Sequence, residues 1–457
     1  MTRSATENKG IWNWIDRIQG DKVIWMILIL LILYSTVTIF SSTSQLATLE
    51  TSRLDIFLEQ IITVGIGMAI VFFCYFCLRI GWIRVLSQLG FFVSAVLLLM
   101  LLFRIGTVEL NNAVRIIMIG KLQLNVYEFV KIFMIVYLAW AIHAYKSGSF
   151  WIADQLAARS RHLAFLARAG WKRIIYIYIP IIFVTLCIME GGFSSAMFIG
   201  TIMIATILIG GVPVKDIAIL VAAGIIAIGG SYMLYKVSGE KIMAGRWTTV
   251  ESRIGRLFNP QPADELVEGT KEWREHIDDI RQPEGAKIAI KEGGMFGKGP
   301  GKSTQKYSVA LIFSDYMFSF IIEEYGLIFG AIPLIVLYIS LLARGSLIVR
   351  YCDNEYAKTV IAGLTLVIAA QAMMHMFINV GLGPLTGQTL PMISHGNSSF
   401  IAFSIAFGIL LSISKMAKKK IDQATREAES LIAESCPAET SASEDGTEPA
   451  ESGQQTV

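Results

Sequence analysis

Apolar residues run through this chain in long uninterrupted blocks, and charged residues gather in the stretches between them. A block of 18 or more apolar residues is long enough, as a helix, to cross the ~30 Å hydrocarbon core of a bilayer. Ten blocks predict spans at about 24–41, 56–77, 84–103, 124–143, 174–190, 193–211, 216–235, 320–343, 359–380 and 398–414. The fifth and sixth are separated only by EGG, which predicts a tight helical hairpin. The first block begins late and is long enough to remain as a span instead of being cleaved as a signal peptide. The expected fold is all-α: ten transmembrane helices with a large extracytoplasmic loop, about 236–310, between spans seven and eight. Composition agrees, since 54% hydrophobic and 16% charged residues exclude an ordinary soluble domain.

Charge orients the spans. Arg3, Lys9, Arg17 and Lys22 precede the first, six basic residues fill 144–173, and Arg344, Arg350 and Lys358 occupy 344–358. Lys415, Lys418, Lys419 and Lys420 follow the last span. With an even number of spans these segments share the cytoplasmic side, and both termini lie there. The expected division is a cytoplasmic segment 1–22, a membrane domain 23–415 and a cytoplasmic tail 416–457. The tail opens on a charged stretch able to form a helix, then turns rich in Glu, Ser, Thr and Gly, which predicts disorder. Cys74 and Cys77 read as packing residues inside span two, and no metal-ligand spacing of Cys and His is present. No internal repeat is visible, so an inverted-repeat transporter gains no support.

Charge within a membrane domain is costly unless paired or wet, so it marks candidate chemistry. Glu128 and Lys131 stand at i, i+3 at the outer start of span four, with Arg115 and Lys121 just before them. They read either as an interfacial ion pair or as part of a site. The outer loop closes on IKEGGMFGKGPGKSTQK, where glycines and Lys298, Lys302 and Lys306 suit an anion such as a pyrophosphate; contact with lipid headgroups is the plainer reading. Asp315 sits among aromatic and apolar residues, followed by Glu323 and Glu324. Desolvation raises a carboxylate's pKa, which suits a general base or acid or a ligand for a hard cation; neutralising basic residues of neighbouring spans is the alternative. Finally, GLGPLTGQTLPMISHGNSSF, 381–400, joins spans nine and ten with no charge beyond a titratable His395. Irregular backbone at membrane depth is tolerated where protein or a wet cavity covers it, so this stretch is expected to fold back and line a cavity.

Four motifs in order resemble those of the SEDS family, the ten-span FtsW and RodA proteins, over about residues 20–415. The 381–400 stretch is similar to the family's LPxTGxxLPFxSYGGSS, and GGMFGKGPGKSTQK to its GGLxGxGxGxSxQK. SDYMFSFIIEEYGLIFG resembles TDFIFAIIGEELGLxG, and NAVRIIMIGKLQLNVYEFVK resembles GAxRWIxLGxxxFQPSExxK. GKSTQK is nearer the FtsW branch than RodA. There are departures: Ile116 for Trp, Val126 and Tyr127 for Pro-Ser, EGGFSSA at 190–196 for QPDLGTA, and His395 and Asn397 for Tyr and Gly.

The resemblance implies polymerisation of the lipid-linked peptidoglycan precursor lipid II on the outer face of the bacterial cytoplasmic membrane, at the division septum. It implies Asp315 as base or as ligand of Mg²⁺ or Mn²⁺. Arg115, Glu128, Lys131, Lys298, Lys302, Gln305, Lys306, Thr386, Ser394, His395, Asn397 and Ser398 become candidates for binding substrate. The partners it implies are a class B penicillin-binding protein, other division proteins, lipid II and undecaprenyl pyrophosphate, and no nucleic acid. A lipid II flippase and a non-catalytic scaffold for the transpeptidase are the rival expectations.

Overall fold

The computed structural model describes residues 20–42, 53–110, 113–120, 122–148, 168–239, 271–309, 311–383 and 387–435, together with Phe150, Gln155, Trp247 and Glu251. Three long helices come first: α1 Lys22–Ser42, α2 Arg53–Cys77 and α3 Ile80–Leu102. Asp21 starts α1 by accepting the backbone N–H groups of Val23 and Ile24 at 2.9 and 3.2 Å. Its other oxygen takes the Arg344 guanidinium at 2.6 Å, which ties the first span to a helix more than three hundred residues away.

Between α3 and the next helix lies a small antiparallel sheet, β1 Thr107–Leu110, β2 Ala113–Ile119 and β3 Leu122–Asn125, in the order β1-β2-β3. Ile116 pairs with Val108 on one side and Asn125 on the other. The sequence reading treats this region as loop. The β-branched run in AVRIIMI and a left-handed Gly120 make it a sheet instead.

The chain continues through α4 Val126–Ser147, α5 Ala169–Gly191, α6 Phe193–Ile209 and α7 Val214–Val237. Next comes α8 Lys271–Gly293, a polar helix inside the long loop that the hydropathy pattern does not reveal. After it stand α9 Met317–Gly326, a π-turn Leu327–Ala331, α10 Ile332–Tyr351, α11 Glu355–Asn379 and α12 Asn397–Ser435. Among the described residues nine helical stretches are long and apolar enough to cross a membrane, α9 and α10 counting as one, and the apolar α6 is shorter at 17 residues. The hairpin expected at EGG is present as α5 and α6 turning at Gly192. Residues 1–19 and 436–457, which include the segment expected to be disordered, lie outside the described residues.

The helices are not equally buried. In the most apolar 18 residues of α4 and of α12, 78% are buried, against 11% in α7. α4 and α12, with α11 at 67%, therefore form the centre of the bundle, and α7 packs little against the described residues. Polar side chains buried on these three helices, such as Glu128, Lys131, Gln371 and Asn379, are cut off from solvent and need protein partners.

Candidate active site

Asp315 lies in a turn just before α9, with its N–H bonded to the Leu311 carbonyl at 2.9 Å. Three consecutive carbonyls of this turn are held from outside it. His395 donates its N–H to Phe313 O at 2.9 Å, the Ser394 hydroxyl donates to Ser314 O at 2.7 Å, and the Asn379 amide donates to Asp315 O at 3.0 Å. The first two donors belong to the uncharged 381–400 stretch and the third to the end of α11. Asn379 is itself fixed, since its oxygen accepts the N–H and hydroxyl of Ser319 at 3.0 and 2.9 Å.

The carboxylate of Asp315 faces Arg115 of β2 across Gly387. Gly387 has φ +58°, a left-handed backbone, and a Cβ placed on it would sit 3.1 Å from Arg115 Nη1 and 3.4 Å from Asp315 Oδ2. Only glycine allows the 381–400 stretch to pass so near both groups without strain. The Ser314 hydroxyl donates to Asp315 Oδ1 at 2.9 Å. Burial pushes the carboxyl above the ordinary carboxylate range, while Arg115 and Ser314 pull it part of the way back. The strands that sequence reading did not foresee are what bring Arg115 here.

Next to this centre is a buried polar network. Glu128 and Lys131 pair at 2.9 Å on the first turns of α4, both almost fully buried. The Lys131 ammonium also donates to Gln371 Oε1 of α11 at 2.5 Å and to Gln388 Oε1 at 3.4 Å. Gln371 returns an amide hydrogen to Thr389 O at 3.0 Å, and Ser399 reaches Glu128 at 3.4 Å. Gln371 and Gln388 escape the sequence reading; a lone amide in the apolar run VIAAQAMM is the signal that could have found the first.

The basic glycine loop is held by the twin glutamates of α9. Glu323 accepts from Lys298 Nζ at 2.7 Å, Ser303 Oγ at 2.5 Å, Thr304 N at 2.8 Å and Gln305 N at 3.2 Å. Lys298 also pairs with Glu292. Glu324 accepts from Ser41 of α1 at 2.6 Å and lies 3.9 Å from Lys306 Nζ. Lys306, buried, further donates to Gly301 O at 2.8 Å. The loop backbone presses against α9 so closely that a Cβ on Gly297 would lie 2.3 Å from Glu324 O. Lys298 and Lys306, read from the sequence as pyrophosphate ligands, thus have their ammonium groups on carboxylates of α9, because buried carboxylates demand cations. Lys302 is exposed, and Gln305 is half-buried beside α8, with Oε1 3.5 Å from the place a Cβ on Gly285 would take.

The remaining candidates sit where 381–400 enters α12. Asn397 donates to Glu59 of α2 at 2.7 Å and accepts from Thr63 at 3.1 Å. Ser398 donates to Gln123 O of β3 at 2.5 Å and accepts the Asn125 N–H at 3.1 Å, so it fastens the sheet to the bundle. The His395 ring meets Phe313 edge-on, and burial holds its pKa below the ordinary histidine value against the opposing charge of Glu59. Thr386 lies outside the described residues. Among the described residues no group of three His, Cys, Asp or Glu is gathered to hold a metal ion.

Residues 21–419 match the model of the FtsW/RodA/SpoVE family of cell cycle proteins. The chain is similar to the probable peptidoglycan glycosyltransferase FtsW of Bacillus subtilis, at 29% identity over 342 residues, 74% of this chain and 76% of the relative. It is similar to the stage V sporulation protein E of the same organism at 26% over 404 residues, 87% and 98% of the two chains. Among solved structures, a chain of a peptidoglycan synthase complex that coordinates polymerization and crosslinking superposes with TM-score 0.59 at 17% identity, over 87% of this chain and 98% of that one. The rod shape determining protein RodA of Thermus thermophilus superposes with TM-score 0.54 at 19% identity, over 88% and 99%. These two show the shared fold.

Proposed function

The chain belongs to the FtsW/RodA/SpoVE family of cell cycle proteins, and we propose that it is a peptidoglycan glycosyltransferase of the FtsW kind, polymerising lipid II for septal wall synthesis on the outer face of the cytoplasmic membrane. The observation that carries this reading is the convergence of Asp315 and Arg115 over Gly387, just before the start of α9. One half-buried carboxylate beside one guanidinium is what an inverting transfer onto a sugar hydroxyl needs when the leaving group is a pyrophosphate.

In this reading the acceptor 4-hydroxyl gives its proton to Asp315 as its oxygen attacks the donor's anomeric carbon. The bond from that carbon to the pyrophosphate oxygen breaks, and undecaprenyl pyrophosphate leaves with the electron pair. The raised carboxyl of Asp315 favours taking the proton, and Arg115 stabilises the charge that grows on the leaving group. Lys302, exposed on the basic loop, is left to attract the anionic headgroup.

Among the described residues no three-ligand group forms around Asp315, so Mg²⁺ or Mn²⁺ held there would need further oxygens from the substrate's pyrophosphate, with Asp315 then its ligand instead of the base. Bound so, it would supply positive charge to the departing group. The partner we propose is a class B penicillin-binding protein, in line with the synthase complex whose chain shares this fold.

The test is polymerisation of purified lipid II by the full chain bound to its transpeptidase partner, with and without Mg²⁺. Glycan product that disappears with Asp315→Ala and Asp315→Asn supports the reading. Full activity in both variants overturns it. Translocation of lipid II into liposomes without any polymer would make the protein a carrier.

A further inference from the structure

Gln388 follows Gly387 directly and is buried. Its side chain spans two elements: Oε1 accepts from Lys131 of α4 at 3.4 Å, and Nε2 donates to Ser195 Oγ of α6 at 3.0 Å. Its main-chain carbonyl lies 2.7 Å from His375 Nδ1 of α11. The other ring nitrogen of His375 accepts the Phe318 N–H at 3.4 Å, so the proton is on Nδ1 and is donated to Gln388 O. One residue thus binds three helices, and its neighbour is the glycine lying between Arg115 and Asp315.

Ser195 lies in EGGFSSA at the place where the family's QPDLGTA has Thr, another hydroxyl, and Gln388 stands at a position the family pattern leaves open. The charges of the network cancel within the Glu128–Lys131 pair, so the group bridging Lys131 to α6 must be neutral, able to accept at one end and donate at the other. A primary amide does both, with the acceptor and the donor on separate atoms.

We propose that Gln388 is a positioning residue of the transferase: by bridging Lys131 and Ser195 it sets the height of Gly387, and hence the separation of Asp315 and Arg115. Its hydrogen bonds go to Lys131, Ser195 and His375 and not to Asp315 or Arg115. The inference rests on the glycosyltransferase reading. Its removal misplaces the base without deleting it, and a displacement of about 1 Å in such a centre can cost on the order of a hundredfold in rate.

The experiment is kinetics of lipid II polymerisation by the full chain with its partner, for wild type, Gln388→Met, Ser195→Ala and the double variant. Thermal unfolding is measured in the same detergent. Met keeps the length of Gln and removes both hydrogen bonds. The expected result for Gln388→Met is kcat lower by about tenfold or more, KM within about twofold, and a midpoint within a few degrees of wild type. Ser195→Ala lowers kcat less, and the double variant falls no further than Gln388→Met, since both act on one bridge. The inference is overturned if Gln388→Met keeps kcat within twofold, if KM rises instead, or if the two losses multiply. Absence of polymer from the wild type would count against the transferase reading itself, whereas an active wild type with an equally active Gln388→Met removes only this inference.

Discussion

The side-chain amide of Asn379 donates to the main-chain carbonyl of Asp315 at 3.0 Å, sixty-four residues along the chain. The last turn of α11 therefore positions Asp315 through its backbone and leaves its carboxylate to other partners. Asn379 also closes on Ser319 of α9, so it bridges both sides of the turn. Asn379→Ala should lower kcat of lipid II polymerisation by about tenfold to a hundredfold, because the Asp315 carbonyl and the N–H and hydroxyl of Ser319 lose a partner while the carboxylate remains. Asn379→Asp keeps the acceptor for Ser319 but not the donor for Asp315, and should be no better. Steady-state kinetics on both variants checks this; activity within twofold of wild type would show that the turn holds without α11.

The second expectation concerns pH. Asp315 must be ionised to act as a base, and its pKa is raised by burial and lowered by Arg115. Polymerisation should therefore fail on the acid side at a pH above that of an ordinary carboxylate. Arg115→Gln removes the lowering charge, so the Asp315 pKa rises further and the acid limb of the rate profile moves to higher pH. The same raised pKa means that the folded state favours the protonated carboxyl, so any stability the carboxyl contributes is present at low pH and lost as pH rises through the folded pKa. Asp315→Asn should consequently abolish product without lowering the unfolding midpoint above neutral pH. An acid limb unmoved by Arg115→Gln would separate the two residues functionally.

How much of this was readable beforehand differs from part to part. The spans are legible because a helix facing lipid has to be apolar over about 20 residues, and no other pattern meets that demand. The strands at 107–125 are not, since IIMIG resembles the edge of a span and strand pairing is decided by partners. Asp315 and Arg115 stand two hundred residues apart, and no periodicity relates them; charge in the membrane domain marks each separately, and only the family motifs suggest that they serve one site. The reading of Glu323 and Glu324 as neutralising basic residues anticipates their role, though their partners turn out to be the glycine loop. Lys298 and Lys306 show the limit of reading charge: a lysine in a glycine loop looks alike whether it meets a phosphate or a carboxylate of the same chain.

That last contrast can be measured. If Lys298 serves to dock the loop on α9, then Lys298→Met and Glu323→Gln remove the same interaction. Their effects on polymerisation and on unfolding should overlap, with a coupling energy of about 1–2 kcal/mol in a double-mutant cycle. A lysine that bound pyrophosphate would instead lower activity independently of Glu323, and the two losses would multiply. Lys302→Met, on the exposed residue of the loop, should raise KM with little change in kcat or stability.

The Glu128–Lys131 pair allows a sharper separation of stability from activity. Lys131→Met leaves Glu128, 4% exposed, as an uncompensated carboxylate whose hydrogen-bond partner among the described residues is Ser399. Breaking a buried pair in this way costs roughly 3–5 kcal/mol, whereas replacing both partners by neutral side chains of similar volume is often close to neutral. The unfolding midpoint should therefore fall in Lys131→Met and recover in the double variant Glu128→Gln, Lys131→Met. Polymerisation should not recover with it, because Gln371 and Gln388 have still lost the ammonium that both accept from. Measuring midpoint and kcat on the same three proteins decides the matter: activity that returned together with stability would make the pair a purely structural device, with no part in holding the 381–400 stretch over Asp315.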